Sequence, residues 1–422
     1  MSKIKQVTAR EILNAKGMPS VEAIVVLSDG KVGAASCPSG TSVGNYEASE
    51  VKDHDENRFL GQGVLKAISN INDIIAPNLL GIDALKQQIV DRIMIDLDGT
   101  QNKGRLGANA ILSVSMAVAR AAAKSSTLPL FLYLREYVKK ENIPLKIPNP
   151  LFNILNGGMH AGGNMDFQEF IITPASSLSY PDALNMGSSI YFALKKVLET
   201  NSLTTLVGDE GGFGPKVASN KEAMAFVKEA ISSKNLRLGF DVFMGLDAAS
   251  SNFYRDKKYH IKDKSIAFSS TDLINYYAEL NDEFQLIYLE DPMAEDDWEG
   301  WTEILQKIGQ QTLIVGDDLI ATNPYRLQMA LDKKAVSGII IKPNQIGTVI
   351  ESLAVVEVAR SAGLKIIVSH RSGETNDDFI ADFAVGVSAD FVKFGAPVRG
   401  ERVAKYNRLL EIYSQIKTLS NK

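Results

Sequence analysis

Six apolar stretches in the second half of the chain each run into a charged residue. The charged residues are Asp247, Glu290, Asp317, Lys342, Arg371 and Lys393. A short apolar run bounded by turn residues predicts a strand that is buried on both faces. A carboxylate at the end of such a strand is costly to bury unless a cation or a donor accompanies it. Six unrelated, solvated strand ends are one interpretation, but three acids, two lysines and an arginine in series favour a common site.

The three acids indicate a metal site. The chain has one cysteine and no histidine cluster near these acids, so the site would be hard and rich in oxygen, which favours Mg²⁺ over zinc or copper. We therefore expect Asp247, Glu290 and Asp317 to be metal ligands. Asp291 and Asp318 are alternatives, although adjacent side chains of a strand point to opposite faces, so one acid of each pair faces the metal.

The basic residues indicate what such a metal site could do. Lys342 follows three consecutive isoleucines, and a lysine in a partly desolvated pocket beside positive charge can have a pKa low enough to act as a base. The alternative is that Lys342 pairs with Asp317 and neutralises it. Arg371, Ser372 and Lys393 offer a fork of donors and a hydroxyl, which suits a phosphate or a carboxylate.

Two glycine-rich stretches add acids and a histidine. VGDEGGFGP ends an apolar run in acids, followed by two glycines that permit a close approach of the backbone. LNGGMHAGGNMDFQEFIITP has four glycines around His160, before Gln168 and Glu169. A loop with one histidine is more often packed or solvated than functional. Beside a metal-binding barrel the same loop is a candidate lid.

The spacing of the charged ends predicts the elements that position them. From Glu290 onward the gaps are 27, 25, 29 and 22 residues, the length of one strand, one helix and two short loops. In GTVIESLAVVEVARSAG the apolar residues recur at helical spacing, at Val349, Leu353, Val356 and Ala359. Repeating βα units indicate parallel strands with right-handed crossovers. Closed into a barrel, they would place all six charged ends on one face.

The length of the chain predicts two domains. At 422 residues the chain is longer than the chains that usually fold around a single hydrophobic core. We expect a smaller α+β amino-terminal domain over 1–138, a proline-rich linker over 139–150 and an α/β barrel over 151–422. In the first domain Asp29 and Gly30 predict a hairpin turn between two β-rich runs. The apolar stripe from Val64 to Ile75 and the small residues of GANAILSVSMAVARAAA predict packed helices.

Composition narrows the classes of protein. Hydrophobic residues make up 45% and charged residues 23% of the chain, as in ordinary globular proteins. No apolar run approaches the roughly 20 residues of a membrane span, and the first residues lack the apolar core of a secretory signal. Cys37 stands alone, which suits a reducing cytoplasm. A net charge of -5 without a basic cluster argues against nucleic acid as a partner.

The chain resembles the enolase family along essentially its whole length. The matching stretches are PSGTSVGNYEA, LDGTQNKGRLGANAILSVS, NGGMHAGGNMDFQEF, VGDEGGFGP, LDAASS, EDP, VGDDLIATNP, IKPNQIG, SHRSGET and GAPVRGERVAKYN. The order and spacing of GDEGG, KPNQIG and SHRSGET are highly specific. The resemblance implies a barrel of the enolase (TIM-like) type behind a smaller α+β domain, and a cytoplasmic homodimer or octamer of four dimers.

The resemblance also implies an activity, the magnesium-dependent, reversible dehydration of 2-phosphoglycerate to phosphoenolpyruvate in glycolysis and gluconeogenesis. By position, Lys342 is the implied base, and Glu210 the implied acid with Glu169 beside it. The implied ligands of the first of two magnesium ions are Asp247, Glu290 and Asp317, and Ser42 would help to hold the second. The implied substrate contacts are His160, Gln168, Arg371, Ser372 and Lys393.

Departures from the family pattern leave two alternatives open. Thr41 and Val43 flank Ser42 where the family has alanine and threonine, and Phe394 follows Lys393 where threonine is common. These changes favour an enolase-like binding or structural protein with reduced turnover as one alternative. Another acid dehydratase or a racemase of the enolase superfamily is the second, and the GDEGG acid and the SHRS fork argue against it.

Overall fold

The computed structural model describes residues 2–40, 44, 46–139, 143–262 and 264–420. It begins with a three-stranded antiparallel sheet in the order β1 (Ile4–Leu13), β2 (Pro19–Leu27) and β3 (Val32–Ser36). The predicted hairpin is confirmed, since β2 and β3 pair across the turn at Asp29 and Gly30. The first strand of the sheet was not predicted.

Helices cover this sheet. They are α1 (Leu65–Ser69), α2 (Ala76–Leu79), α3 (Gln87–Asp98), α4 (Ala108–Ser125) and α5 (Leu130–Arg135), with a π-helical turn over Asn70–Ile75 and a short 3₁₀ turn over Phe59–Gly61. Val64, Ile71 and Ile75 are fully buried, which confirms the predicted stripe. Nearly all of α4 is buried against β2 and β3, which confirms the predicted core helix.

Eight strands among the described residues close into a barrel. They are β4 (Asn149–Asn156), β5 (Glu169–Pro174), β6 (Val242–Asp247), β9 (Leu286–Glu290), β10 (Leu313–Gly316), β11 (Gly338–Ile341), β12 (Lys365–Ser369) and β13 (Phe391–Lys393), neighbours in this order, with β13 next to β4. The predicted barrel is therefore confirmed. Between β6 and β9 the chain forms a small hairpin of β7 (Tyr254–Arg255) and β8 (Lys258–Tyr259).

One barrel strand departs from the predicted parallel repeat. β5 runs antiparallel to both β4 and β6, because only the loop over 157–168 joins β4 to β5. Neighbouring parallel strands need a crossover, usually a helix, whereas antiparallel strands need a short connection. As a consequence Glu169, the first residue of β5, pairs in register with Asp247, the last residue of β6.

The barrel helices are α6 (Tyr180–Thr200), α7 (Asn220–Ser233), α8 (Ser270–Phe284), α9 (Trp298–Ile308), α10 (Pro324–Asp332), α11 (Val349–Ser361), α12 (Phe379–Gly386) and α13 (Gly400–Ser420). The predicted helix after Lys342 is confirmed as α11, whose N-cap Thr348 accepts a hydrogen bond from the Glu351 N–H. Short 3₁₀ turns lie over Gly158–Ala161, Ser250–Phe253 and Pro343–Gln345.

The barrel interior is packed. Six strands contribute a separate apolar cluster of Leu151, Ile171, Tyr288, Val315, Ile340 and Ile367, all at most 1% exposed. A filled interior leaves the mouth of the barrel as the place where polar side chains can gather. Among the described residues, no helix combines the length and the apolar character that crossing a membrane requires.

Candidate active site

The predicted residues meet in one pocket at the carboxyl ends of the barrel strands. Its lining includes Glu47, His160, Gln168, Glu169, Glu210, Asp247, Asp317, Lys342, Arg371, Ser372 and Lys393. Glu290 is fully buried and contacts Lys393. Ser42, with its neighbours Thr41 and Val43, lies outside the described residues.

Lys393 lies at the centre of a ring of acids. Its ammonium is 2.9 Å from Asp247 Oδ2, 2.8 Å from both carboxylate oxygens of Glu290 and 3.2 Å from Glu169 Oε1. These four side chains are each at most 4% exposed. The ring forms because β5, β6, β9 and β13 bring their ends to the same face. Lys393 is thus the cation that these three buried acids share.

Lys342 donates to Asp317 across the neighbouring strands β10 and β11. The structure therefore shows the alternative interpretation, in which Lys342 pairs with Asp317. Gln345 lies on the other side of the Asp317 carboxylate, with Nε2 3.4 Å from Oδ1. Asp291 is engaged differently, because its two carboxylate oxygens accept the backbone N–H groups of Asp317 and Asp318 at 3.0 and 2.8 Å.

Glu210 faces donors on a different side of the pocket. Its Oε2 accepts from Asn153 Nδ2 at 3.0 Å and lies 3.1 Å from His370 Nε2. Asn153 belongs to β4 and His370 follows β12. Its other oxygen, Oε1, lies 3.8 Å from His160 Nδ1, which is equally far from Glu169 Oε1. His160 Nδ1 and Glu169 Oε2 are buried without a hydrogen-bond partner among the described residues, which is typical of polar atoms that a ligand or water completes.

Arg371 forms a buried ion pair with the amino-terminal region. Its guanidinium donates to Glu47 at 2.6 and 3.2 Å, and both side chains are at most 5% exposed. The chain passes so close that a Cβ on Gly40 would lie 1.9 Å from Arg371 Nη2. Only glycine fits there. The anion-binding fork predicted from the barrel is thus held by a loop of the other half of the chain.

With this geometry described, comparison with known families is decisive. Residues 4–134 match the model of the enolase N-terminal domain. Residues 144–421 match the model of the enolase C-terminal TIM barrel domain. The chain belongs to the enolase family. The division at residues 138 and 150 stays a prediction.

Burial shapes the protonation of this enolase-family site. Burial, reinforced by the charge of Glu210, raises the pKa of Glu169 well above its usual range. Burial, reinforced by the charge of Asp247, also raises the pKa of Glu290 well above its usual range. Burial lowers the pKa of Lys393, but the surrounding carboxylates outweigh it and raise the pKa well above its ordinary value. Lys393 is therefore a permanent cation here.

Lys342 does not have the lowered pKa that the sequence led us to expect. Burial lowers its pKa, but the Asp317 carboxylate outweighs burial, so the pKa lies above its ordinary value. The same pairing opposes the effect of burial on Asp317, whose pKa is lowered. The expected lowering rested on the positive charge of a nearby magnesium, whereas in this arrangement the nearest charge is the Asp317 carboxylate, which raises the pKa.

The acids Glu169 and Glu210 differ in protonation. Burial raises the pKa of Glu210, but His370 and His160 reverse the effect and hold it well below its usual range. Burial lowers the pKa of His370 to about 3, so at neutral pH an uncharged imidazole lies beside Glu210. Of the two carboxyl groups, Glu169 therefore has the higher pKa and binds a proton more readily.

The acids fit a hard divalent cation. The Lys393 ammonium occupies a position that only cations favour, surrounded by oxygens at 2.8 to 3.2 Å, and the donors are those that magnesium prefers. Two other groups have ligand atoms within 4.8 Å of one another among the described residues, His160 with Glu169 and Glu210, and Asp291 with Asp317 and Asp318. Asp291 is the weaker candidate because backbone N–H groups already occupy both its oxygens.

Sequence reasoning missed three residues of this site. His370 was assigned no role from the sequence, although it lines the pocket beside Glu210. Glu47 and Arg402 lie far from the strand ends in sequence, and their contacts with Arg371 and His370 follow only from the fold. Phe394, which stands where threonine is common in the family, has its ring fully buried beside Tyr406, with the ring centroids 5.9 Å apart.

A cavity larger than the barrel pocket lies elsewhere. It has a volume of about 870 Å³ and lies between α4, α12 and α13. Its charged groups pair with one another, Arg120 with Asp378 and Arg408 with Asp382 and Glu411. The barrel pocket, by contrast, gathers acids and bases whose charges do not cancel, and chemistry belongs there.

Proposed function

We propose that this enolase-family chain catalyses the magnesium-dependent, reversible dehydration of 2-phosphoglycerate to phosphoenolpyruvate, as a hydro-lyase (phosphopyruvate hydratase). The observation that carries the proposal is that a lysine and a carboxyl pair line one pocket from different sides. Lys342 follows β11, and Glu210 contacts Asn153 of β4, three strands further around the barrel. An elimination needs a base and an acid at two adjacent carbons of one substrate.

In this proposal Lys342 Nζ takes the C2 proton and the carboxyl pair assists the departing hydroxide. Lys342 must be neutral to accept a proton. Burial and the nearby Arg371 and Lys393 cations lower its pKa, and the Asp317 carboxylate that outweighs them in this arrangement would be engaged by a bound metal. Glu210 reaches the leaving group, and Glu169, whose pKa is raised by burial, lies beside it. Arg371 with Ser372 binds the phosphate, and His160, Gln168 and Lys393 contact the rest of the substrate.

Asp247, Glu290 and Asp317 would hold the first of two magnesium ions, and Ser42, outside the described residues, would help to hold the second. When bound, magnesium supplies positive charge that stabilises the oxyanion developing on the substrate carboxylate. Without such charge the C2 proton, adjacent to a carboxylate, is too weakly acidic for a lysine to remove at a useful rate.

We further propose that the enzyme serves glycolysis and gluconeogenesis in the cytoplasm as a homodimer or an octamer. The family membership supports this proposal. Glu22, a residue that often pairs between subunits in the family, pairs here with Arg10 of its own chain, and Glu411 pairs with Arg408. These exposed contacts can be exchanged for contacts with a partner at little cost.

The direct test is to follow the absorbance of phosphoenolpyruvate formed from 2-phosphoglycerate, with magnesium and with excess chelator. We expect turnover with magnesium alone. A protein that is folded and binds 2-phosphoglycerate but never turns it over would instead support the enolase-like binding protein. Dehydration of an unphosphorylated sugar acid in place of 2-phosphoglycerate would support another member of the superfamily.

A further inference from the structure

Arg402, in the first turn of α13, is a fully buried guanidinium behind the pocket. Nη1 is 2.7 Å from His370 Nδ1 and donates to the Arg371 carbonyl at 2.6 Å. Nη2 donates to the carbonyls of Ser372 and Asp209 at 2.8 and 3.2 Å. One side chain therefore binds the segment after β12 and the loop that carries Glu210.

The contact with His370 determines where the imidazole proton lies. A guanidinium has donors only and is never deprotonated in proteins. His370 Nδ1 must therefore be the acceptor in this contact, and in the neutral ring the proton then lies on Nε2. Nε2 is the nitrogen that lies 3.1 Å from Glu210 Oε2.

The opposite tautomer would be unfavourable at both ends of the ring. A proton on Nδ1 would face an N–H of Arg402 at 2.7 Å, and the lone pair on Nε2 would face the Glu210 carboxylate. The ring is buried and packs closely against Gly395, where an added Cβ would lie 2.9 Å from His370 Cε1. Arg402 and Glu210 thus select the same tautomer from opposite sides.

We propose that Arg402 is a positioning residue that fixes His370 as the Nε2–H tautomer, so that His370 presents a donor to Glu210, and that it ties the Glu210 loop to the segment bearing Arg371 and Ser372. The role in turnover rests on the proposed function, whereas the tautomer does not. Arg402 touches no reacting atom and acts through His370 and three backbone carbonyls.

The test is NMR spectroscopy of the full chain labelled with ¹⁵N-histidine, at neutral pH. The chain has 4 histidines, so the spectrum of His370→Asn assigns the His370 signals. The imidazole nitrogen without a proton resonates far downfield of the one that carries it. We expect wild-type His370 to show a bare Nδ1 and a protonated Nε2.

Two variants and a matched control extend the test. Arg402→Met removes every donor at similar length, and Arg402→Lys keeps the charge with fewer donors. Arg408→Met removes a largely buried, ion-paired arginine from the same helix without a contact to the pocket. In Arg402→Met we expect the tautomer signature to be lost and kcat to fall on the order of 10- to 100-fold, the range for partners that orient active-site groups, with a smaller change in KM. The kcat of Arg402→Lys should lie between those of the wild type and Arg402→Met. Arg408→Met should keep the wild-type tautomer signature.

The outcomes are separable. A wild-type spectrum with the proton on Nδ1 overturns the proposal, and so does an Arg402→Met variant that keeps both the wild-type signature and kcat. If the wild-type protein turns out to lack 2-phosphoglycerate dehydration, the spectrum still decides whether Arg402 sets the tautomer.

Discussion

At the scale of single residues, the site is a balance of buried charges held in two separate groups. One group is the acid ring around Lys393, and the other is the pair of Lys342 and Asp317. Burying ions is costly, and removing one partner leaves the other uncompensated. Each charged residue in the pocket therefore has a partner that must be exchanged when substrate and metal bind.

Glu210→Gln should separate the two halves of the proposed reaction. The amide can neither take a proton from the neighbouring Glu169 nor pass one to the departing hydroxide, but it leaves Lys342 in place. We expect dehydration to fall by roughly 10²- to 10⁴-fold, the range for general acid catalysis, while exchange of the C2 proton with solvent is largely retained. Both are measured on one sample by NMR in D₂O.

Glu169→Gln is the matched control for this variant, because Glu169 lies in the same cluster and has a pKa raised by burial. If Glu169 were the sole acid, its variant would show the selective loss and Glu210→Gln would not. Equal loss of exchange and dehydration in Glu210→Gln would show instead that this carboxylate mainly holds the site together.

At the scale of elements, segments from the amino-terminal region hold the barrel loops. Glu47 is the counter-ion of Arg371, and Asp91 of α3 accepts the Ile350 N–H in the first turn of α11. α11 directly follows the segment that carries Lys342. The loops at the mouth of the barrel therefore depend on contacts from outside the barrel for their position.

Glu47→Gln should make the protein more dependent on phosphate. The change leaves Arg371 buried with a neutral partner, which costs stability, roughly 3–5 kcal/mol for a broken buried pair. An anion that binds Arg371 would restore part of that loss. We expect inorganic phosphate to raise the melting temperature of Glu47→Gln more than that of the wild type.

Glu11→Gln serves as the control, since Glu11 pairs with Arg58 in the same region and does not line the pocket. A phosphate response in Glu47→Gln no larger than in this control or the wild type would show that Glu47 is not the group that phosphate replaces.

Asp91 should make stability depend on pH. Burial raises its pKa from 3.8 to about 7, so between these values the folded chain keeps a proton that the unfolded chain has released. The contribution of Asp91 to the free energy of unfolding therefore falls as the pH rises from about 4 to about 7. Asp91→Asn lacks the effect, so from about pH 5 to about pH 8 the stability difference should shift by roughly 2 kcal/mol in favour of the variant. Urea unfolding at both pH values measures it, and a difference that does not change with pH would contradict the assignment.

At the scale of the whole molecule, the two halves of the chain share one site. Lys16 bridges to Asp209 at 2.6 Å and Arg120 to Asp377 at 2.9 Å, while Glu47 lines the pocket itself. The amino-terminal half thus contributes both a side chain to the site and the ion pairs that hold the halves together.

The sequence predicted the parts of this arrangement that are local. An apolar run that ends at Asp247 or Lys342 identifies a strand and its end, and the spacing between such ends identifies βα units. The antiparallel β5 was missed because its run is buried like the others and nothing in it specifies direction. The partners of Lys393, Arg371 and His370 were missed because they depend on distances between residues far apart in the chain.

Removal of metal should abolish activity without unfolding the chain. Lys393 and Lys342 pair with the acids that would bind magnesium. These lysines supply the counter-charge of the acids, so the fold does not need the metal. We expect excess chelator to stop turnover while circular dichroism is unchanged, and Asp317→Ala to weaken magnesium binding in calorimetry. Full activity in excess chelator would contradict the metal assignment.

The central claim is that Lys342 removes the C2 proton in the pocket at the mouth of the barrel. The most direct measurement is exchange of the C2 hydrogen of 2-phosphoglycerate with D₂O, followed by proton NMR in wild type and Lys342→Ala, with magnesium present and substrate binding checked by calorimetry. We predict exchange in the wild type, and binding without exchange in the variant. Exchange that persists in Lys342→Ala would show that another group abstracts the proton and would contradict the account.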